Sequence, residues 1–169
     1  MKKGFNICMY LLIFITIIYN NNHGENTYDT NYDINHNYIY IPKISLVNEI
    51  YDYDNDKNNV DKNVYMVTKY NFNNPHGSLV LAAHSGNGYA NFFNRLDELI
   101  KDDEIIIESD DYLYTYLVTN IYTINKNGNF KFYNKDKYIY LITCLKNHKK
   151  KQLVVKGFLK KITKKSTFY

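Results

Sequence analysis

The chain has 169 residues, 45% hydrophobic, 22% charged and 17% aromatic, with 19 Tyr and no Trp. That length fits one domain and can bury a core without a disulfide framework. Two Cys and five scattered His exclude a disulfide-dense scaffold and a structural zinc cluster; seven Gly and two Pro exclude collagen-like and Pro-rich architectures. No fixed-period repeat is present, which excludes a solenoid. The net charge of +4 is unevenly spread: nine of the 21 basic residues lie between Lys146 and Tyr169, and no acidic residue follows Asp136. The basic run reads as a solvated strand face ending in a short tail at 164–169, and no nucleic-acid partner is expected. Its rival reading is a surface β-domain whose tail holds an anionic polymer. Arg95 is the one arginine beside twenty lysines, and there are 25 asparagines. That bias is a background and carries no function.

At the amino end, Lys2 and Lys3 precede an apolar run from Ile7 to Tyr19. A positive start followed by such a run is an export signal. It is short for a membrane span, but no small-x-small cleavage site follows it. Residues 1–23 are therefore expected to remain as a signal-anchor, with the lysines cytoplasmic and the rest of the chain outside. Residues 24–37 are polar and aperiodic, which suits a linker. Cys8 lies within the apolar run, so Cys144 is the exported part's lone thiol.

From Tyr38 onward strand signals dominate. Tyr38–Ile44 alternates, with Pro42 suiting an edge or strand end. Leu79–Ala83 and Glu104–Glu108 are short strand candidates. Tyr112–Ile124 is a long one that should bend or bulge. Tyr138–Thr143, and Leu153–Val155 extending toward Ile162, complete the set. Ala90–Ile100 has the period of a helix, with Phe92, Phe93, Leu96, Leu99 and Ile100 on one face. Residues 71–77 read as a loop, with Pro75 and Gly77 marking a turn. Many strands and one helix predict a β-barrel or sandwich with a helical insert.

His84 ends one strand and precedes the flexible turn Ser85-Gly-Asn-Gly88. Cys144 ends another and is followed by four lysines within seven residues. A Cys and a His on neighbouring strand ends can act as nucleophile and acid/base partner, and nearby cations stabilise a thiolate. Taken singly, an inert buried Cys and a surface His remain the plainer readings.

In order along the chain come an amino-terminal anchor, Ile41-Pro-Lys-Ile44, Val80-Leu-Ala-Ala-His84-Ser85 and Phe92-Phe93-x-x-Leu96. Lys101-Asp-Asp-Glu-Ile, Tyr114-x-Tyr-x-Val118, Leu141-Ile-Thr-Cys144 and Leu153-Val-Val-Lys-Gly157 follow. Together they resemble the sortase family of surface-protein transpeptidases over residues 38–163. The resemblance implies an all-β fold, an eight-stranded barrel with one or two short helices. It implies a groove for an LPxTG-type sorting signal, with Cys144 as nucleophile and His84 as general acid/base. Ala83, Ser85, Thr143 and Leu145 would border that groove. The implied partners are surface proteins bearing the signal, and an amine acceptor on a cell-wall precursor or a pilin lysine.

One departure touches the chemistry. The family carries an arginine at the start of the strand after the cysteine, and here that position holds Gln152. Three readings compete: Lys150 or Lys151 supplies the charge, Gln152 donates through its amide, or the chain is a degenerate, non-catalytic peptide-binding barrel. Lysine is a point charge and lacks the planar fork of arginine, and strand alternation puts Lys150, not Lys151, on the side of Gln152. Tyr140 stands where the family often has Thr, and Ala83 where many members have Gly. The segment Asn125–Lys137 has no helical period, which favours a class A- or D-like subtype over class B. Asp52, Asp54 and Asp56 alternate as calcium ligands can, but they lack the Gly and Glu of an EF-hand loop. A solvated loop is the preferred reading, and no cofactor is expected.

Overall fold

A computed structural model of the protein describes residues 37–72, 77–86, 88–126, 130–134 and 137–165. The expected anchor at 1–23, the linker up to residue 36, residues 73–76 of the 71–77 loop, Asn87 and residues 166–169 of the tail lie outside these. Among the described residues, no helix is long and apolar enough to cross a membrane.

Eight strands form one sheet: β1 (Asn37–Ile41), β2 (Leu46–Ile50), β3 (Tyr65–Met66), β4 (Leu79–Ala82), β5 (Glu104–Ser109), β6 (Tyr112–Asn125), β7 (Tyr138–Cys144) and β8 (Lys151–Lys164). Their order across the sheet is β2-β1-β5-β6-β8-β7-β4-β3. A parallel bridge from Ile50, at the end of β2, to Val64, just before β3, brings the two sheet edges together. The sheet thus curls into a nearly closed, all-β barrel. Every strand pairing is antiparallel except β4 with β7, which is parallel.

Period-two alternation sorts the side chains to two faces. Ile39, Ile41, Leu79, Leu81, Ile105, Ile107, Tyr116, Ile139, Leu141, Leu153 and Val155 fill the interior. On the outer face of β4, β7 and β8, Val80, Tyr140, Ile142 and Val154 make a second apolar cluster. Phe130 and Phe132, from the β6–β7 connection, pack over it, with their rings stacked at 5.4 Å. The described part of that connection contains no helix.

Three expectations change. The strand expected over Tyr38–Ile44 stops at Ile41, because Pro42 opens a 3-10 turn closed by Ser45 in the left-handed region (φ 55°). That turn returns the chain as β2, whose Leu-Val-Asn-Glu-Ile sequence lacks clean alternation. The helix expected over Ala90–Ile100 is a series of turns ending in a 3-10 segment, Leu96–Glu98. Phe93, Leu96 and Leu99 are buried as expected, whereas Ile100 is 59% exposed. So short a segment has little helical stability of its own, and its tie to β4, Phe93 N–H donating to the His84 carbonyl at 3.1 Å, takes precedence. Asn37, assigned to the linker, is the buried first residue of β1.

Gly157 sits where β8 crosses between β6 and β7. A Cβ there would lie 2.8 Å from Ile139 Cγ2 and 3.3 Å from the Leu117 carbonyl. Gly157→Val should therefore lower the unfolding free energy by about 1–3 kcal/mol through overpacking, measurable by urea denaturation. An unchanged midpoint would show that the barrel yields at this crossing.

Candidate active site

The parallel register of β4 on β7 pairs Leu79 with Ile139 and Ala82 with Ile142. Continued past the strand ends, it sets His84 beside Cys144. Three bonds lock these ends together. Ala83 N–H donates to the Ile142 carbonyl at 3.2 Å, Thr143 Oγ1 donates to the Ala83 carbonyl at 2.8 Å, and Ser85 Oγ donates to the Cys144 carbonyl. Thr143 and Ala83 are buried and serve as the joint between the strands. Leu145 is packed against the main core. A shallow cleft at this rim is lined by Ser85, Asn94, Thr143, Cys144, Leu145 and Leu153, among others.

The side chains of His84 and Cys144 make their polar contacts elsewhere. His84 Nε2 lies 3.0 Å from Asp61 Oδ1, in the connection between β2 and β3, an ion pair when the ring is protonated. Cys144, half-buried and free, accepts a bond from Lys126 Nζ at 3.5 Å. Neither Asp61 nor Lys126 was anticipated from the sequence. Asp61 lies 23 residues from His84 in a loop without regular pattern, and no local signal marks it. Lys126 follows the last residue of β6, and only the register of that strand brings it to the sulfur.

Gln152 is the direct antiparallel partner of Cys144, so both side chains leave the sheet on the same face. This is the expected position, at the start of β8, and it holds an uncharged amide. Lys150 and Lys151 are exposed. Their main chains are engaged: Lys151 closes the β7–β8 turn, its N–H donating to the His148 carbonyl at 2.9 Å, and the Lys150 carbonyl accepts from Lys126 N–H, just past β6, at 2.7 Å. Arg95 is committed elsewhere, with two nitrogens on Glu98 and one on the Ile44 carbonyl.

The alternating aspartates do not converge. Asp54 pairs with Lys69 at 2.7 Å and Asp52 accepts from Asn37 at 3.3 Å. Among the described residues no group of three or more His, Cys, Asp or Glu side chains is placed to hold a metal ion.

Comparison with known proteins agrees with this architecture. Sortase A of Listeria monocytogenes superposes with a TM-score of 0.66 at 24% identity, covering 79% of this chain and 92% of that one. Sortase C-3 of Streptococcus pneumoniae gives 0.67 at 20% identity over 85% of this chain and 73% of its own. Sortase C1 of Streptococcus agalactiae, in complex with MTSET, gives 0.63 at 25% identity over 76% and 69%. Similarity to both A- and C-type enzymes leaves the subclass unassigned. No curated protein sequence matches. The family model described as "Sortase domain" matches residues 39–160, most of the chain and all of the strands that carry the rim, so this protein belongs to the sortase family of transpeptidases.

Proposed function

We propose that this protein is a cysteine transpeptidase that cleaves an LPxTG-type sorting signal and transfers the surface protein bearing it to an amine. The observation that carries the reading is the parallel β4–β7 pair, whose register, continued past Ala82 and Ile142, sets His84 beside Cys144. The cleft lined by Ser85, Asn94, Cys144 and Leu145 is where an extended peptide would meet the sulfur.

The Cys144 thiolate attacks the carbonyl carbon of the scissile peptide, forming a C–S bond as the carbonyl π electrons move to oxygen. The adduct collapses, the C–N bond breaks, and the leaving amine takes a proton from the His84 imidazolium. An incoming amine then attacks the thioester and gives its proton back to His84, and the C–S bond breaks to regenerate the thiolate. Splitting one amide exchange into two acyl transfers lowers each barrier and needs no external energy source. Asp61 holds Nε2 of His84, leaving Nδ1 for proton exchange. The amine comes from a cell-wall precursor or a pilin lysine. The Lys2-Lys3 start and the apolar run from Ile7 to Tyr19 would hold the enzyme at the membrane with its barrel outside.

Two observations favour a second reading, a peptide-binding barrel without turnover: Gln152 stands at the family's arginine position, and His84 is bonded to Asp61 rather than to Cys144. Intact-mass analysis of the protein incubated with an LPxTG-type peptide carrying a thiol trap separates the two. The transpeptidase gives one adduct, lost in Cys144→Ala and slowed about 100-fold or more in His84→Ala. Binding with no adduct supports the second reading. Because the Asp61 pair is exposed, Asp61→Asn should lower kcat/KM by no more than about fivefold. A loss as large as that of His84→Ala would make Asp61 indispensable to the proton transfer.

A further inference from the structure

Resting on the transpeptidase reading, we infer that Lys126 is the catalytic cation of this site, doing from β6 what the family's arginine does from the strand after the cysteine.

The placement follows from strand register. β8 lies between β7 and β6, so Gln152 has Cys144 as its partner on one side and Ile124 on the other. All three side chains therefore leave on the outer face, where Ile124 packs with Val154 and Ile142. Lys126 lies two residues beyond Ile124, and its N–H bond to the Lys150 carbonyl continues the ladder. It thus projects to the same face. A bulge makes this so. Tyr114, Tyr116 and Val118 point into the barrel, and an unbroken strand would send the even-numbered Lys126 inward too. The register shift between Val118 and Asn120 inverts the alternation, and Thr119 Oγ1 secures it by donating to the Lys156 carbonyl at 3.2 Å. Lys126 Nζ reaches Cys144 Sγ at 3.5 Å.

An ammonium at this distance is placed to attract negative charge at the sulfur and at an anionic reagent approaching it. The oxyanion of the tetrahedral adduct forms on the carbon bonded to that sulfur, within reach of the same flexible side chain. Lys126 stabilises charge, while His84 moves the protons.

The test needs no substrate. The rate of Cys144 carboxymethylation by anionic iodoacetate is compared with that of alkylation by neutral iodoacetamide. A cation at contact distance favours the anionic reagent, so Lys126→Gln should lower the iodoacetate-to-iodoacetamide ratio by about fivefold at low salt. Lys126→Arg should keep the ratio, which shows that charge and not folding is being read. Lys150→Gln and Lys151→Gln should change it less than about twofold, because their charges stand farther from the sulfur. An unchanged ratio in Lys126→Gln, or an equal fall in either neighbour, overturns the inference. The peptide-transfer assay is run on the same proteins. A lowered ratio with no transfer by the unmodified protein would leave the Lys126–Cys144 pair standing and would overturn the transpeptidase reading instead.

Discussion

The site depends on one parallel contact in an otherwise antiparallel sheet. Antiparallel neighbours place their carboxyl-terminal ends at opposite edges, so two residues that each end a strand would lie a strand length apart. β4 and β7 run in the same direction, and their ends therefore share a rim. Parallel strands need a long crossover between them, and here β5 and β6 supply it while forming the other side of the barrel. The contact is reinforced where it matters, by the Thr143 hydroxyl on the Ala83 carbonyl and by Ser85 on the carbonyl of Cys144 itself.

The barrel has two apolar surfaces with different uses. The interior is a conventional core of Ile, Leu, Val and Tyr, sealed at one end by Phe93, Leu96 and Leu99. The outer cluster around Tyr140 and Ile142 is apolar on the face that an ordinary barrel leaves to water, and it ends at Cys144. Phe130 and Phe132 pack against Tyr140 at ring-centroid distances of 5.7 Å. The β6–β7 connection is thereby laid along this face, and Ser78 bonds to Tyr133 and Asn134 hold its far side.

Charge is arranged economically around the sulfur. The single arginine is committed to Glu98 and the Ile44 carbonyl, and it braces the 3-10 segment against the turn after β1. Gln152 fills the position opposite Cys144 with no charge, and the exposed Lys150 and Lys151 have their main chains engaged in hydrogen bonds. The cation on the sulfur comes from β6, one strand further away. The long lysine side chain makes that distance tolerable. A planar guanidinium would give two directed bonds, whereas an ammonium gives a movable point charge.

The sequence alone determined the strand-rich class, the positions of six strands, and the placement of His84 just past β4 and Cys144 at the end of β7. β-branched and aromatic alternation is a local signal, and a Cys or His at a strand end is visible as text. Gln152 pairs with Cys144 across the β7–β8 turn, a neighbourhood that is local in sequence and so legible there. The helix over Ala90–Ile100 was misread because its apolar spacing also suits turns pinned to the core, and β2 and β3 were missed because their residues do not alternate. Tertiary structure alone decided the partners of the two reactive side chains. Asp61 reaches His84 from an irregular loop, and Lys126 reaches Cys144 because one bulge at Thr119 reverses which face of β6 it lies on. A bulge is fixed by pairing with β8, not by the residues of β6, so no reading of that strand by itself assigns the lysine that follows it to a face.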